Sequence, residues 1–339
     1  MVGSPPSHWM LRFRATEHAG QVAVAKLAIL VHRTHKDLPM LTHVGTRIPD
    51  AKRLTCPTIR RAGKVMFDLS GSNLMKSNRN SLLNKDAYGR MIWAHFNGKP
   101  SLEVIERDDG RVDVGSSEVY FRAFKKWPKC QRQAVKFARG RVLDIGAGAG
   151  RVALYLQCRG FKTTAIDSSP LAIKVCKKRG IKDARLLSVE RIEKLAPLAF
   201  DTVVMYGNNF GLLGSQSKGR AVLAKLQRIT TRSAIIIAES MDPYKTAELF
   251  DLSYQRLNQR RRKMRGQTRI RVRFMNYVGA WINYLFVSKK EMKNILKGTG
   301  WKVSQFMDSE DSHYIAVIEK ERSSISGTRT TRRTSGRWD

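Results

Sequence analysis

The stretch from Arg141 to Asp167, RVLDIGAGAGRVALYLQCRGFKTTAID, constrains the fold more than any other part of the chain. Val142, Leu143 and Ile145 form a short apolar run suited to a buried parallel strand. Asp144 interrupts the run, and Gly146, Gly148 and Gly150 follow at once. Arg151 to Cys158 is apolar enough for a helix, with Arg159 and Gly160 as its basic last turn and glycine stop. Thr163 to Ile166 give a second buried strand that ends in Asp167. Strand, glycine turn, helix, strand and acid make half of a mononucleotide-binding βαβ unit. A turn without Cβ atoms lets a ligand approach the backbone closely. The helix behind it begins with unpaired N–H groups.

The glycines are spaced G-x-G-x-G, with Arg151 where a G-x-G-x-x-G fingerprint would put its last glycine. Asp144 stands two residues before the first glycine, and Asp167 ends the next strand, where an acid suits ribose hydroxyls. This combination resembles motif I of the class I S-adenosylmethionine-dependent methyltransferases. The resemblance implies S-adenosyl-L-methionine as cofactor, with the loop of Gly146, Ala147, Gly148 and Gly150 along its methionyl part. It also implies Asp144 near the methionyl amino group and Asp167, with Ser168 beside it, at the ribose. Ala147 stands where many relatives have cysteine.

The following segments fit the same frame. Ser169-Pro170 opens a helix, and Ala184 to Leu187 reads as a third strand. The resemblance places the next residues, Ser188, Val189 and Glu190, near the adenine. Phe200 to Tyr206 is a fourth strand, followed by the loop Gly207-Asn208-Asn209-Phe210-Gly211. The loop holds the position of motif IV but lacks its N/D-P-P-Y form, which removes a usual clue to the substrate. Tyr206, Asn208 and Asn209 are the substrate-side candidates; the alternative is a turn held by asparagine side chains. A helix over Lys218–Ile229, a strand over Ser233–Glu239 and a closing pair, Trp301–Met307 with Tyr314–Glu319, complete the pattern. The expected fold is α/β: a Rossmann-like, seven-stranded, mostly parallel sheet with helices on both faces and a final antiparallel strand, over residues 140–320.

Two additions surround this frame. Residues 81–139 are expected to form an N-terminal cap: a helix over Asp86–His95, a β-hairpin turning at Asp109-Gly110 and a helix over Lys129–Ala138. Residues 247–287 are an expected insert, with a basic helix over Glu248–Arg265 and a hairpin. There Arg269, Arg271 and Arg273 alternate with Ile270, Val272 and Phe274, so period two puts the arginines on one face. Ser288 to Glu291 is a capping box. Residues 1–80 are a basic extension for which loose packing, a targeting segment and sequence upstream of a start at Met75 all remain open. Residues 321–339, rich in Ser, Thr and Arg, read as a disordered basic tail.

The 339 residues carry a formal net charge of +35, which favours polyanions as partners. Candidate polyanion contacts are Arg256, Arg260, Arg261, Arg262, Arg269, Arg271 and Arg273. Cys56, Cys130, Cys158 and Cys176 form no C-x-x-C pair or Cys/His cluster, so no metal site is expected, and a reducing, cytoplasmic setting is the default. Val22 to Val31, the most apolar stretch, is about half the length a membrane span needs. The expected activity is methyl transfer to a small molecule. The alternatives are an RNA methyltransferase using the arginine stretch, a non-catalytic basic nucleic-acid-binding protein on the same fold and, disfavoured by the glycine spacing, a nicotinamide dehydrogenase. In-line transfer from a sulfonium rests mostly on proximity and orientation. No compelling base stands out, and His95 and His313 are expected to be structural or exposed. The catalytic residues stay open.

Overall fold

The computed structural model describes residues 85–321. The expectations for residues 1–80 and for the tail from residue 322 lie outside the described residues. The cap begins with α1 (Ala87–Phe96), followed by β1 (Leu102–Arg107), β2 (Val112–Ser116) and α2 (Lys129–Ala134). The central unit runs β3 (Arg141–Ile145), α3 (Arg151–Cys158), β4 (Lys162–Asp167), α4 (Pro170–Lys178) and β5 (Asp183–Leu186). It continues with β6 (Phe200–Met205), α5 (Gln216–Ile229) and β7 (Thr230–Met241). The insert is α6 (Leu249–Arg260), β8 (Gln267–Phe274), β9 (Tyr277–Val278) and β10 (Ile282–Leu285). Then α7 (Lys289–Leu296), β11 (Trp301–Asp308) and β12 (His313–Lys320) close the domain.

The main sheet has the order β11-β12-β7-β6-β3-β4-β5. All neighbours from β7 to β5 are parallel, and β12 lies antiparallel between β7 and β11. The chain leaves β3 to one side for β4 and later returns to its other side with β6, so the topological switch point lies at the end of β3. In such sheets ligands bind outside the carboxyl ends of the strands at that point. The strands are apolar on both faces because helices cover both. Leu143, Val203 and Ile236 join one core cluster with Leu223 of α5 and Ile295 of α7. Val142, Val204 and Ile237 join the other with Leu156 of α3 and Trp127. Each such fully buried side chain stabilises the fold by about 1.5–3 kcal/mol relative to exposure.

Helix ends follow local chemistry. Ser169 caps α4 with its hydroxyl, and Pro170 starts the first turn. Ser288 and Glu291 form the capping box of α7. Two helices are shorter than the sequence suggests. α2 ends at Ala134, and Val135–Phe137 tighten into a 3-10 turn before Gly140. α6 ends at Arg260 because Arg262 turns left-handed, at φ 55°. The amide of Asn258 then bonds the carbonyls of Arg265 and Gln267, which folds the chain back into β8.

The largest departure is in the cap. The hairpin β1–β2 and the insert are one sheet, ordered β10-β8-β1-β2, with β9 beside β8. Glu106 pairs with Arg271, and Ile105 with Val272, although 165 residues separate Glu106 from Arg271. Antiparallel partners share a face. One face therefore carries Glu103, Ile105, Ile270, Val272, Phe274 and Tyr284. The other carries Val104, Glu106, Arg269, Arg271 and Arg273. Arg107, 9% exposed, locks the hairpin to α6 with ion pairs to Asp109 and Asp251, both about a quarter exposed. Tyr254 of α6 adds a hydroxyl donated to Asp108.

Candidate active site

The glycine turn sits where the sequence places it, and its backbone donors are already engaged. The N–H groups of Gly146 and Ala147 bond the carbonyl of Ile166 at the end of β4. The N–H of Gly148 donates to Asp167 Oδ2 at 2.9 Å. Gly146, Gly148 and Gly150 all have positive φ, which only glycine adopts without strain. Their missing side chains also make room for neighbours. A Cβ on Gly148 would lie 2.6 Å from the Tyr88 hydroxyl, and one on Gly150 would lie 2.1 Å from Ile181.

The two acids of the motif are buried. Asp167 accepts from Gly148 N with one oxygen and from Ser169 N with the other. Burial pushes its carboxyl up to about 6, against the pull of these backbone hydrogen bonds. Asp144 accepts the N–H of Ala153, and burial raises it to about 7, opposed by that bond and by the nearby Arg151. Neither carboxylate forms an ion pair among the described residues, so each has lone pairs to offer an incoming donor. A pair of hydroxyls would suit Asp167 and an ammonium would suit Asp144.

Ser168 is exposed beside Asp167. Ser188 caps the turn after β5 through the N–H of Glu190, and Val189 is half-buried beneath it. The Glu190 carboxylate is ion-paired to Lys218 of α5 at 3.1 Å. Tyr206 is buried against Trp127 and donates its hydroxyl to the carbonyl of Gln131. Asn209 reaches under the glycine turn, and its amide donates to the carbonyls of Ile145 and Gly146 at 2.9 and 2.8 Å. It braces the turn from the loop after β6. Asn208 is left-handed, at φ 62°, and its side-chain oxygen is buried without a partner.

Several residues at the site have no motif to announce them. Asp86 joins cap to core: it caps α1 through Gly89 N and also accepts the Ser169 hydroxyl at 2.9 Å and the Leu171 N–H. Tyr88 and Tyr120 meet edge to face over Gly148, with ring centroids 5.4 Å apart. The Tyr120 hydroxyl donates to Glu103 at 2.5 Å, and burial raises the Glu103 carboxyl. At the ends of β6 and β7, the Glu239 carboxylate is 5% exposed; both its oxygens accept from Gln131 Nε2, and Oε2 also accepts from Gly207 N. Tyr284 packs on Gly211 and donates its hydroxyl to the carbonyl of Asn208. In the sequence the only signals were an acid closing an apolar strand, at Glu239, and the aromatics of the cap.

The arginine stretch divides. Arg271 and Arg273 both hydrogen-bond Glu106, which holds that carboxyl down to about 2. The guanidiniums of Arg269 and Arg271 flank Trp281, at 5.4 and 4.3 Å. Arg256, Arg260, Arg261 and Arg262 are exposed on and after α6. His95 bonds the Ser117 hydroxyl and stacks on Phe121, and His313 pairs with Asp311. No helix of the described residues is long and apolar enough to cross a membrane.

This sheet order, glycine turn and pair of acids define the fold of a class I S-adenosylmethionine-dependent methyltransferase. Residues 142–233 match the family model described as a methyltransferase domain. A methyltransferase-named protein of Geobacillus sp. (strain WCH70) is 23% identical over 131 residues, or 37% of this chain and 51% of its own length. The chain thus spans about half of that relative. A S-adenosylmethionine-dependent methyltransferase of Bacteroides fragilis, crystallised with S-adenosyl-L-homocysteine, shares the fold at a TM-score of 0.62 and 24% identity, over 71% of this chain and 97% of that one.

Proposed function

We propose that the protein is an S-adenosylmethionine-dependent methyltransferase acting on a small-molecule acceptor. When bound, S-adenosylmethionine supplies a methyl group on a sulfonium, already activated for displacement. The residues present suit it. Asp167 offers acceptor oxygens to ribose hydroxyls, Asp144 a carboxylate to the methionyl ammonium, and the glycine turn a close backbone approach. Tyr88 and Tyr120 close over Gly148 and restrict water.

One observation carries the choice of acceptor. The face of the cap sheet that shares residues with the site is mostly aromatic and apolar, with Glu103 and Arg107 its charged members, and Phe274, Tyr88 and Tyr120 pack against the cluster that contains Ala149. The arginine face is the opposite one, where Glu106 binds two of the three. A lid of this kind suits a compact acceptor better than a phosphate backbone. The second reading, an RNA methyltransferase, draws on the exposed Arg256, Arg260, Arg261 and Arg262. The purified protein should be incubated with methyl-labelled S-adenosylmethionine and a cell extract, and the label fractionated. Label in small molecules is the expected result. Nuclease-sensitive label in polymer would replace this reading with the second.

A further inference from the structure

The acceptor side of the site has more hydrogen-bond acceptors than donors. The Gln131 side chain, in a residue only 4% exposed, gives its amide nitrogen to Glu239 and leaves Oε1 without a partner. The Asn208 side-chain oxygen, one residue from the Gly207 N–H that binds Glu239, is likewise buried and unpartnered. The nearby hydroxyls cannot relieve this shortage. Tyr206 and Tyr284 already donate to the carbonyls of Gln131 and Asn208. A buried acceptor left unpaired costs about 1–3 kcal/mol. Hydrogen on a ligand would remove that cost.

The charge points the same way. Glu239 accepts only from amides. Glu103 accepts from Tyr120 with Oε1, and its other oxygen accepts no hydrogen bond among the described residues. Neither has an ion-pair partner among the described residues. Arg151 is close enough to Glu239 to be felt electrostatically, but it stacks on Trp127 at 4.5 Å rather than bonding the carboxylate. Tyr284, on the same sheet face as Glu103, senses both carboxylates. With Tyr88 and Tyr120 it supplies aromatic faces, which attract cations.

Resting on the methyltransferase reading above, we propose that the acceptor is a basic amine, bound through Glu239 and Glu103 and methylated on nitrogen. The amine arrives as an ammonium whose charge faces Glu239; two of its N–H groups satisfy the Gln131 and Asn208 side-chain oxygens, and the third is directed to Glu103. That third proton passes to Glu103, whose free oxygen faces no hydrogen-bond donor among the described residues and whose carboxyl burial raises above the ordinary carboxylate range. The freed nitrogen lone pair forms the new C–N bond as the C–S bond of the methyl sulfonium breaks, and that electron pair stays on sulfur as a thioether. The nitrogen emerges as an N-methylammonium, and Glu103 returns its proton to water.

The full-length protein and its Glu239→Gln and Glu103→Gln variants should each be titrated with S-adenosylhomocysteine by calorimetry. Each should then be incubated with methyl-labelled S-adenosylmethionine and the small-molecule fraction of a cell extract. The expected result is label on amines retained by cation exchange. Both variants should lose about 100-fold or more of that labelling while their S-adenosylhomocysteine affinity is unchanged, which also shows that they fold. Label released by base as methanol, label on neutral or polymeric products, no label, or amine labelling untouched in both variants overturns the proposal. If the unaltered protein fails to bind S-adenosylhomocysteine, the methyltransferase reading falls as well, whereas binding without amine labelling removes the amine alone.

Discussion

Asp167 Oδ2 accepts the backbone N–H of Gly148 at 2.9 Å, so the last residue of β4 fastens the glycine turn that follows β3. The same carboxylate holds Ser169 N at the start of α4. A residue suited to ribose is thus also a structural tie between three elements. This double role shapes how it should be tested.

Asp167→Ala would leave two buried N–H groups unpaired, at about 1–3 kcal/mol each, and confuse folding with binding. Asp167→Asn keeps an acceptor for one of them and removes the charge. It should raise the dissociation constant for S-adenosylhomocysteine by about 10- to 100-fold, with a modest loss of stability. Calorimetric titration beside chemical denaturation checks this, and unchanged affinity would remove Asp167 from the ribose site.

Affinity should also follow the protonation of the buried acids. Burial raises Asp167 to about 6 and Asp144 to about 7 in the free protein. Both are above their unfolded values, so the folded chain binds more protons than the unfolded chain from roughly pH 4 to pH 7. Their contribution to stability is therefore fullest in acid and is lost as pH rises through that window. Ligand binding has the opposite trend because it uses the ionised forms. S-adenosylhomocysteine affinity should climb with pH and level off above about 7, and fall about tenfold one unit below the controlling value. A flat profile from pH 5 to 8 would contradict this assignment.

Gly148→Ala meets two obstacles. The left-handed backbone at φ 56° costs a non-glycine residue about 1 kcal/mol, and the new Cβ lies 2.6 Å from the Tyr88 hydroxyl. Adding Tyr88→Phe removes the hydroxyl but not the backbone strain. The double variant should recover part of the stability lost by Gly148→Ala, as read from thermal melts. A double variant less stable than the sum of the two single changes would show that Tyr88 is not what crowds this position.

The joint between hairpin and insert can be opened at one residue. Arg107→Met keeps the stem but leaves Asp109 without its ion pair and Asp251 with Arg111 alone. Because both acids are partly solvated, the expected loss is about 1–3 kcal/mol, below the figure for a fully buried pair. Faster proteolysis or hydrogen exchange confined to β1, β2 and α6 would place the loss at this joint. A stability equal to that of the unaltered chain would mean that strand pairing alone holds the cap sheet.

The central unit was legible in the sequence because its determinants are local. The apolar run at Val142–Ile145, the three glycines, Ser169-Pro170 and the Ser288–Glu291 box each act within a few residues. The period of two in Arg269–Phe274 likewise separated the charged face from the apolar one before any partner was known. Tertiary structure alone decided which strand those residues would meet. Glu106 selects Arg271 and Arg273 across a gap of 165 residues or more, and no local pattern encodes that pairing. The same is true of Asn209, a candidate for the substrate whose amide braces Ile145 and Gly146, and of Glu239, an unremarked strand end that gathers Gln131 and Gly207. A side chain's role at a site depends on which donors and acceptors the folded chain brings within about 3 Å of it, and that distance is set by packing rather than by position along the chain.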